Sequence, residues 1–192
     1  AVQAPLQFTR NSDGVRLCPP GCQCRLQCKC TPADHLHLSE ASKYGGYGYL
    51  TAAAPPVMRR GRHCAEFVLG KNATAHHSFG VIRPEFDVEG RTRSKANGAN
   101  HWSFKDHCFY HTDGTRMPCY RKWDGMQRAS RGDRITLLLD LDAGSMTVYK
   151  NGEELGVMAT GLSGRYSWAT VLANAGDSVR IAYSAPPPVS GI

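Results

Sequence analysis

The sequence predicts an all-β protein: a sandwich of two antiparallel sheets with few or no helices. Three observations carry that expectation. Apolar segments of strand length recur from residue 36 to residue 183, some alternating and some continuous. Turn chemistry separates them, with 20 glycines and 11 prolines among 192 residues and an Asn151-Gly152 pair joining two apolar runs. No unit of roughly 20–50 residues repeats, which excludes solenoids and propellers.

In chain order, residues 1–17 show no periodicity; Phe8 and Val15 offer at most a short strand, and the segment reads as loosely ordered. Residues 18–30 are CPPGCQCRLQCKC, with thiols at Cys18, Cys22, Cys24, Cys28 and Cys30. Closely spaced soft sulfurs suit zinc, and His35 and His37 offer further ligands. The run lacks the paired C-x-x-C halves of standard structural sites. It therefore reads first as a Cys-rich leader with free or oxidised thiols, and second as a metal site.

Leu36–Ser39 begins the sandwich, and KYGGYGY at Lys43–Tyr49 is a glycine-punctuated loop presenting Tyr44, Tyr47 and Tyr49. Such a loop supplies contact area at small entropic cost, or serves as a plain hairpin connection. Ala52–Arg60, with Pro55-Pro56, reads as an exposed connector, and strands are expected near Ala65–Leu69 and Phe79–Ile82. Asn72-Ala73-Thr74 is a formal glycosylation sequon, inert in an intracellular protein, and His76-His77 reads as a surface pair. Residues 87–106, rich in Gly, Asn, Arg and Ser, read as a long mobile loop with Trp102 near its end, either a local core or a contact anchor. Cys108–His111 is a strand, and Asp113-Gly114 a turn.

The best-defined stretch is Gly132–Met158, GDRITLLLDLDAGSMTVYKNGEELGVM. Ile135, Leu137, Leu139 and Leu141 share one strand face while Leu138 makes the other partly apolar, the pattern of a strand covered on both sides. Asp142 leads and caps the following turn; Met146, Val148 and Tyr149 carry a second strand, and Glu153–Met158 a third. The stretch is an antiparallel meander. Arg131-Gly132-Asp133 spells an integrin-type tripeptide, but its Gly-Asp belongs to the turn entering the first strand. Tyr166–Ala173 and Ser178–Tyr183 close the sandwich, Trp168 packs, and Pro186-Pro187-Pro188 ends the packed unit. The expected division is a Cys-rich, poorly ordered N-terminal extension over 1–33, a sandwich over 34–184 and a Pro-rich tail over 185–192.

The meander resembles the central signature of SPRY (B30.2-type) domains. Gly61-Arg62-His63-Cys64-Ala65-Glu66-Phe67-Val68 is similar to that family's "GRHYFEV" strand, with Cys64 and Ala65 replacing aromatics. Phe79–Pro84, His107–Tyr110 and Gly176–Ile181 resemble further blocks in the expected order. The resemblance implies a bent, concanavalin-like sandwich that recognises a short peptide or protein surface through loops at one edge. It also implies a partner-selecting role within a larger protein such as a ubiquitin ligase, although no RING, F-box or SOCS-box segment is present. Where some members place a peptide-holding tryptophan, this chain has Leu172-Ala173-Asn174, which puts that mode in doubt. The candidate contact residues are Tyr44, Tyr47, Tyr49, Arg59, Arg60, Trp102, Arg121 and Trp123, residue types that dominate interface energies.

Composition narrows the function classes. Hydrophobic content of 41% and charged content of 20% are those of a globular domain, and no apolar run is long enough to span a bilayer. A chain opening at Ala1 without a signal pattern reads as a processed product or excised fragment. Cys64, Cys108 and Cys119 read as thiols of a reducing, cytoplasmic or nuclear, compartment. The net charge of +7 comes from scattered basic residues, with Arg59, Arg60 and Arg62 in one group and Arg121-Lys122 in another. Solvated loop charge is the plainer reading; an acidic peptide partner also suits it, and nucleic acid less so, because no RRM, KH or zinc-finger spacing appears. No nucleophile elbow, phosphate loop or H-E-x-x-H motif occurs, so a non-enzyme is expected, with no cofactor beyond zinc on the Cys cluster. A carbohydrate-binding sandwich and a nucleic-acid-binding domain are the alternatives.

Overall fold

The computed structural model describes residues 6–11, 15–18, 40–43, 50–70, 76–86, 88, 107–117 and 120–183. Tyr44, Tyr47, Tyr49, Trp102, Cys22, Cys24, Cys28, Cys30, His35, His37, Asn72, Cys119, most of 87–106 and the tail lie outside them. Among the described residues no helix is long and apolar enough to cross a membrane.

Among the described residues, two antiparallel sheets, of six and seven strands, form the fold, as expected. The first has six strands: β1 (Arg10–Asn11), β4 (Leu50–Met58), β12 (Tyr166–Leu172), β6 (Ser78–Ile82), β7 (His107–His111) and β8 (Arg116–Met117), in that spatial order. The second has seven: β11 (Glu153–Ala159), β10 (Ser145–Lys150), β9 (Arg134–Asp140), β5 (Arg62–Leu69), β13 (Ser178–Tyr183), β3 (Glu40–Lys43) and β2 (Val15–Cys18).

The meander forms β9–β10–β11. Its Asn-Gly turn takes positive φ at both residues, 52° at Asn151 and 92° at Gly152, the mirror-image geometry that matches strand twist. Ile135, Leu137 and Leu139 are fully buried between the sheets. Leu138 points the other way and joins Cys64 and Tyr149 in a small cluster on the outer face. The turn after β9 is capped by Asp140 rather than Asp142: its Oδ1 accepts from the Asp142 and Ala143 amides at 3.0 and 2.8 Å. Asp142 instead accepts from the Gly61 amide at 2.9 Å, tying this turn to the β4–β5 connection.

The core between the sheets is a stack of aromatic rings. Phe67 lies 5.3 Å from Phe79, and Phe79 lies 5.6 Å from Tyr110, while Trp168 meets Phe67 edge-on. A second apolar layer covers the outer face of the six-stranded sheet, where Phe86, Val88 and Tyr120 pack on Ile82, Phe109 and Val171. That sheet is therefore apolar on both faces. Its strand β6 passes so close to β7 that a Cβ on Gly80 would collide with the Cys108 carbonyl oxygen.

Two expectations about boundaries are corrected. The sandwich begins well before residue 34. Leu6, Phe8 and Val15 are buried in the main core, β1 pairs with β4, and β2 pairs with β3 from Val15↔Lys43 to Cys18↔Glu40. The Cys-rich run is thus the connection of a strand pair, entered at Cys18 and left at Glu40, rather than part of a terminal extension. Ala52–Arg60 is mostly strand, not an exposed connector. Ala52, Ala53 and Ala54 are buried because β4 lies between β1 and β12; within β4 itself Pro55, Pro56 and Val57 are exposed, in the stretch where pairing with β12 is irregular, and Arg59 and Arg60 are exposed beyond its end.

Candidate functional site

The short connections fix which strand ends lie together. β3 passes to β4, β5 to β6 and β12 to β13 at one end of the sandwich, here the upper end; β2 passes to β3, β4 to β5 and β6 to β7 at the lower end. The candidate contact residues divide between them. The tyrosine connection 44–49 leaves β3 and enters β4 at the upper end, where Arg121 and Trp123 also lie. Arg59 and Arg60 are exposed on the lower end, and Trp102 lies outside the described residues. Among the described candidates, Arg121 and Trp123 therefore lie at the opposite end from Arg59 and Arg60.

Trp123 is a packing residue. It is partly buried against the core, edge-on to Tyr110, and its indole N–H donates to the Gly114 carbonyl at 2.8 Å. Arg121 is exposed, its backbone bridged to Arg116. Trp168 packs as expected, 1% exposed.

Beneath the upper end lies a buried polar group that the sequence does not announce. His77, expected on the surface, and Asp177 are both 0% exposed and approach to 3.1 Å, an ion-pair distance without hydrogen-bond alignment at the imidazole. Lys43 is buried beside them and donates from Nζ to the Ala173 carbonyl at 2.5 Å. Burial pulls the Lys43 pKa down, and the Asp177 carboxylate opposes that shift. Asp177 Oδ2 also accepts from the Asn174 amide at 2.6 Å, and backbone bonds join Lys43 to Gly176 and Asp177. The group pins β3, the approach to β6 and the β12–β13 turn together. A substrate cannot reach a fully buried imidazole and carboxylate, so this pair braces the fold.

A second histidine closes the β7–β8 turn. His111 Nδ1 lies 2.9 Å from the Asp113 carboxylate and 3.2 Å from the Asp113 amide, so it accepts from the amide when unprotonated and donates to the carboxylate when protonated. Tyr120 stands edge-on to the ring at 5.1 Å. Burial holds the His111 pKa below its ordinary 6.5, more strongly than Asp113 raises it. Burial alone would raise the Asp113 pKa, but hydrogen bonds from Thr115 and His111 outweigh it and hold it below 3.8. A histidine whose folded pKa is depressed stabilises the fold above its unfolded pKa and loses that contribution as pH falls through the folded value. Stability is therefore expected to decline on acidification from pH 6.5 downward, before Asp113 titrates. Urea denaturation across that range should show a flatter profile for His111→Gln; an unchanged slope would assign the effect elsewhere.

Other expected features resolve simply. Cys64 and Cys108 are buried thiols, and burial pushes the Cys108 thiol up to about 12. Asp133 is bound by Asn151, Ser130 and Lys150, so the Arg-Gly-Asp tripeptide serves a turn. Among the described residues, no group of three or more His, Cys, Asp or Glu side chains is placed to hold a metal. Of the Cys cluster only the backbone of Cys18 falls within them.

Two sheets in this order, with short strands feeding loops at both ends, define the SPRY-type fold, and the chain has it. The SPRY domain of human HERC1 superposes with a TM-score of 0.64 at 19% identity, covering 77% of this chain and 90% of that one. The TRIM65 PSpry domain gives 0.60 at 11% identity, covering 93% and 90%. The NEUZ (NHR) domain of Neuralized from Drosophila melanogaster gives 0.52 at 14% identity, covering 95% and 94%. No protein-family model matches the sequence, and no curated protein matches it.

Proposed function

We propose that this chain is a non-catalytic protein-interaction module of the intracellular space that holds a short peptide or protein surface through loops of the sandwich. One observation carries the reading. The tyrosine-bearing connection starts at Lys43 and ends at Leu50, both buried and fixed at the upper end, so a contact-rich segment stands on a rigid base. The likeness in fold to the SPRY domains supports the same reading by analogy. A partner-selecting role within a larger protein, such as a ubiquitin ligase, is the wider setting it fits.

The test is a display selection of proteome-derived peptides on residues 1–192, repeated with Tyr44, Tyr47 and Tyr49 changed to Ala and, separately, with Arg59 and Arg60 changed. A motif should enrich and be lost in the tyrosine variant, at a cost of at least about 2 kcal/mol for a true anchor, with Tm unchanged. A folded chain that enriches nothing would remove short linear peptides as the ligand class. Glycan arrays and salt-dependent oligonucleotide titration would then weigh the carbohydrate and nucleic-acid alternatives.

A further inference from the structure

Between β8 and β9 the chain crosses the upper end as a strap, residues 121–133, held to the sandwich at several points along its length. Trp123 donates to Gly114 and the Tyr110 hydroxyl donates to the Gln127 carbonyl. The Ala129 amide donates to Thr112, Lys150 Nζ donates to the Arg128 carbonyl, and the Gly132 amide donates to Leu69. Gly125 sits so tightly on β11 that a Cβ there would collide with the Leu155 carbonyl oxygen. The strap is thus a fixed track rather than a free loop.

Its side chains are unbalanced in charge. Arg121, Lys122, Arg128 and Arg131 are exposed, and none has a carboxylate partner among the described residues. The nearby basic residues Lys150 and Arg134 are already satisfied, by Asp133 at 3.3 Å and Glu66 at 3.5 Å. Asp124 is the one exposed carboxylate on the strap, so four cations face solvent against one anion.

We propose that this strap is a docking surface for a short acidic peptide, whose Asp and Glu side chains pair with Arg121, Lys122, Arg128 and Arg131. This rests on the protein-binding reading above and adds a partner chemistry and a surface to it. Arginines present planar forks that match carboxylates two bonds at a time. A backbone already anchored spares the ordering cost that weakens flexible charged loops. Two observations favour a peptide over a nucleic acid. The strap's one aromatic side chain, Trp123, is partly buried against the core and edge-on to Tyr110, which leaves a base little ring face to stack on. The flank is acidic: Asp124 lies on the strap, and Glu153 and Glu154 are exposed on the β11 edge that Gly125 contacts, which limits the track to a short ligand.

The experiment titrates residues 1–192 with a labelled peptide of alternating Glu and Gly, its Gln counterpart, and a thymidine oligonucleotide of equal charge. Arg128→Glu/Arg131→Glu is compared with Arg59→Glu/Arg60→Glu at the opposite end. All four positions are exposed, and unchanged melting curves will establish that each variant is folded. The Glu peptide should bind better than its Gln counterpart, weaken with salt, and lose at least about tenfold in affinity in the strap variant alone. Equal binding of the Gln peptide, or loss at Arg59/Arg60 instead, overturns the proposal. Tighter binding of the oligonucleotide, lost in the strap variant, would make the strap a nucleic-acid surface. If a selected neutral motif binds and depends on the tyrosines but not on the strap, this proposal fails while the interaction module stands. If no peptide of either kind binds, both fail.

Discussion

Removing residues 1–33 is expected to abolish cooperative folding rather than trim a flexible leader. Leu6, Phe8 and Val15 are 2%, 0% and 4% exposed, all in the main core. At about 1.5–3 kcal/mol for each fully buried apolar side chain, their loss amounts to about 5–9 kcal/mol, comparable with the roughly 5–15 kcal/mol that holds a domain together. Hydrogen bonding is lost as well. The Thr9 amide donates to Ala53 at 2.9 Å, and the Arg10 guanidinium donates to the Pro84 and Phe86 carbonyls at 2.9 and 2.7 Å. Without β1 and β2, the strands β4 and β3 become open edges of their sheets, ready to pair with another molecule. Thermal melting and size-exclusion chromatography of residues 34–192 beside 1–192 check this. The expected outcome is aggregation or a transition without cooperativity; a cooperative melt within a few degrees of the full chain would show that the first strands are dispensable.

That this segment reads as loose in sequence has a physical cause. Its apolar residues are few, and its partners are distant: Arg10 pairs with Ala53, so the strand exists only because β4 is there. Strand preference is largely packing against neighbours, and a short edge strand carries little of it locally. The same holds for Ala52–Ala54, weak strand formers that become core because β12 and β1 flank them. The meander is legible for the opposite reason. Its three strands are contiguous, their turns are coded by Asp140 and by Asn151-Gly152, and each pairs with its sequence neighbour. At the site, residue type alone is a poor guide. Trp123 and Arg121 lie two positions apart, yet one is a core anchor and the other is free, a distinction made by the Gly114 carbonyl and the Tyr110 ring. His77 reads as surface because Asp177, its ionic partner among the described residues, arrives from the last turn of the sandwich.

Asp177→Ala is expected to cost about 3–5 kcal/mol, the range for removing one member of a buried ion pair. The carboxylate serves three groups at once. It faces the His77 ring at 3.1 Å, supports the buried Lys43 ammonium against desolvation, and accepts from the Asn174 amide. With alanine in its place, the Asn174 amide loses its side-chain acceptor and Lys43 keeps its burial without its counter-charge, so the penalty exceeds that of one lost hydrogen bond. Asp177→Asn should fall between, since it keeps an acceptor and loses the charge. Urea denaturation of Asp177→Ala, His77→Ala and the double variant separates a network from independent contacts. In a network the double variant costs less than the two single costs added together, because either change removes the same interaction. Strict additivity, or a loss under about 1 kcal/mol for Asp177→Ala, would refute the brace. Since the Gly176 amide donates to the Lys43 carbonyl and the Lys43 amide to the Asp177 carbonyl, loosening should also appear as faster amide exchange at residues 43 and 176. Both residues border connections of the upper end, so the same variant tests whether the proposed peptide binding draws on the rigidity beneath the tyrosine connection.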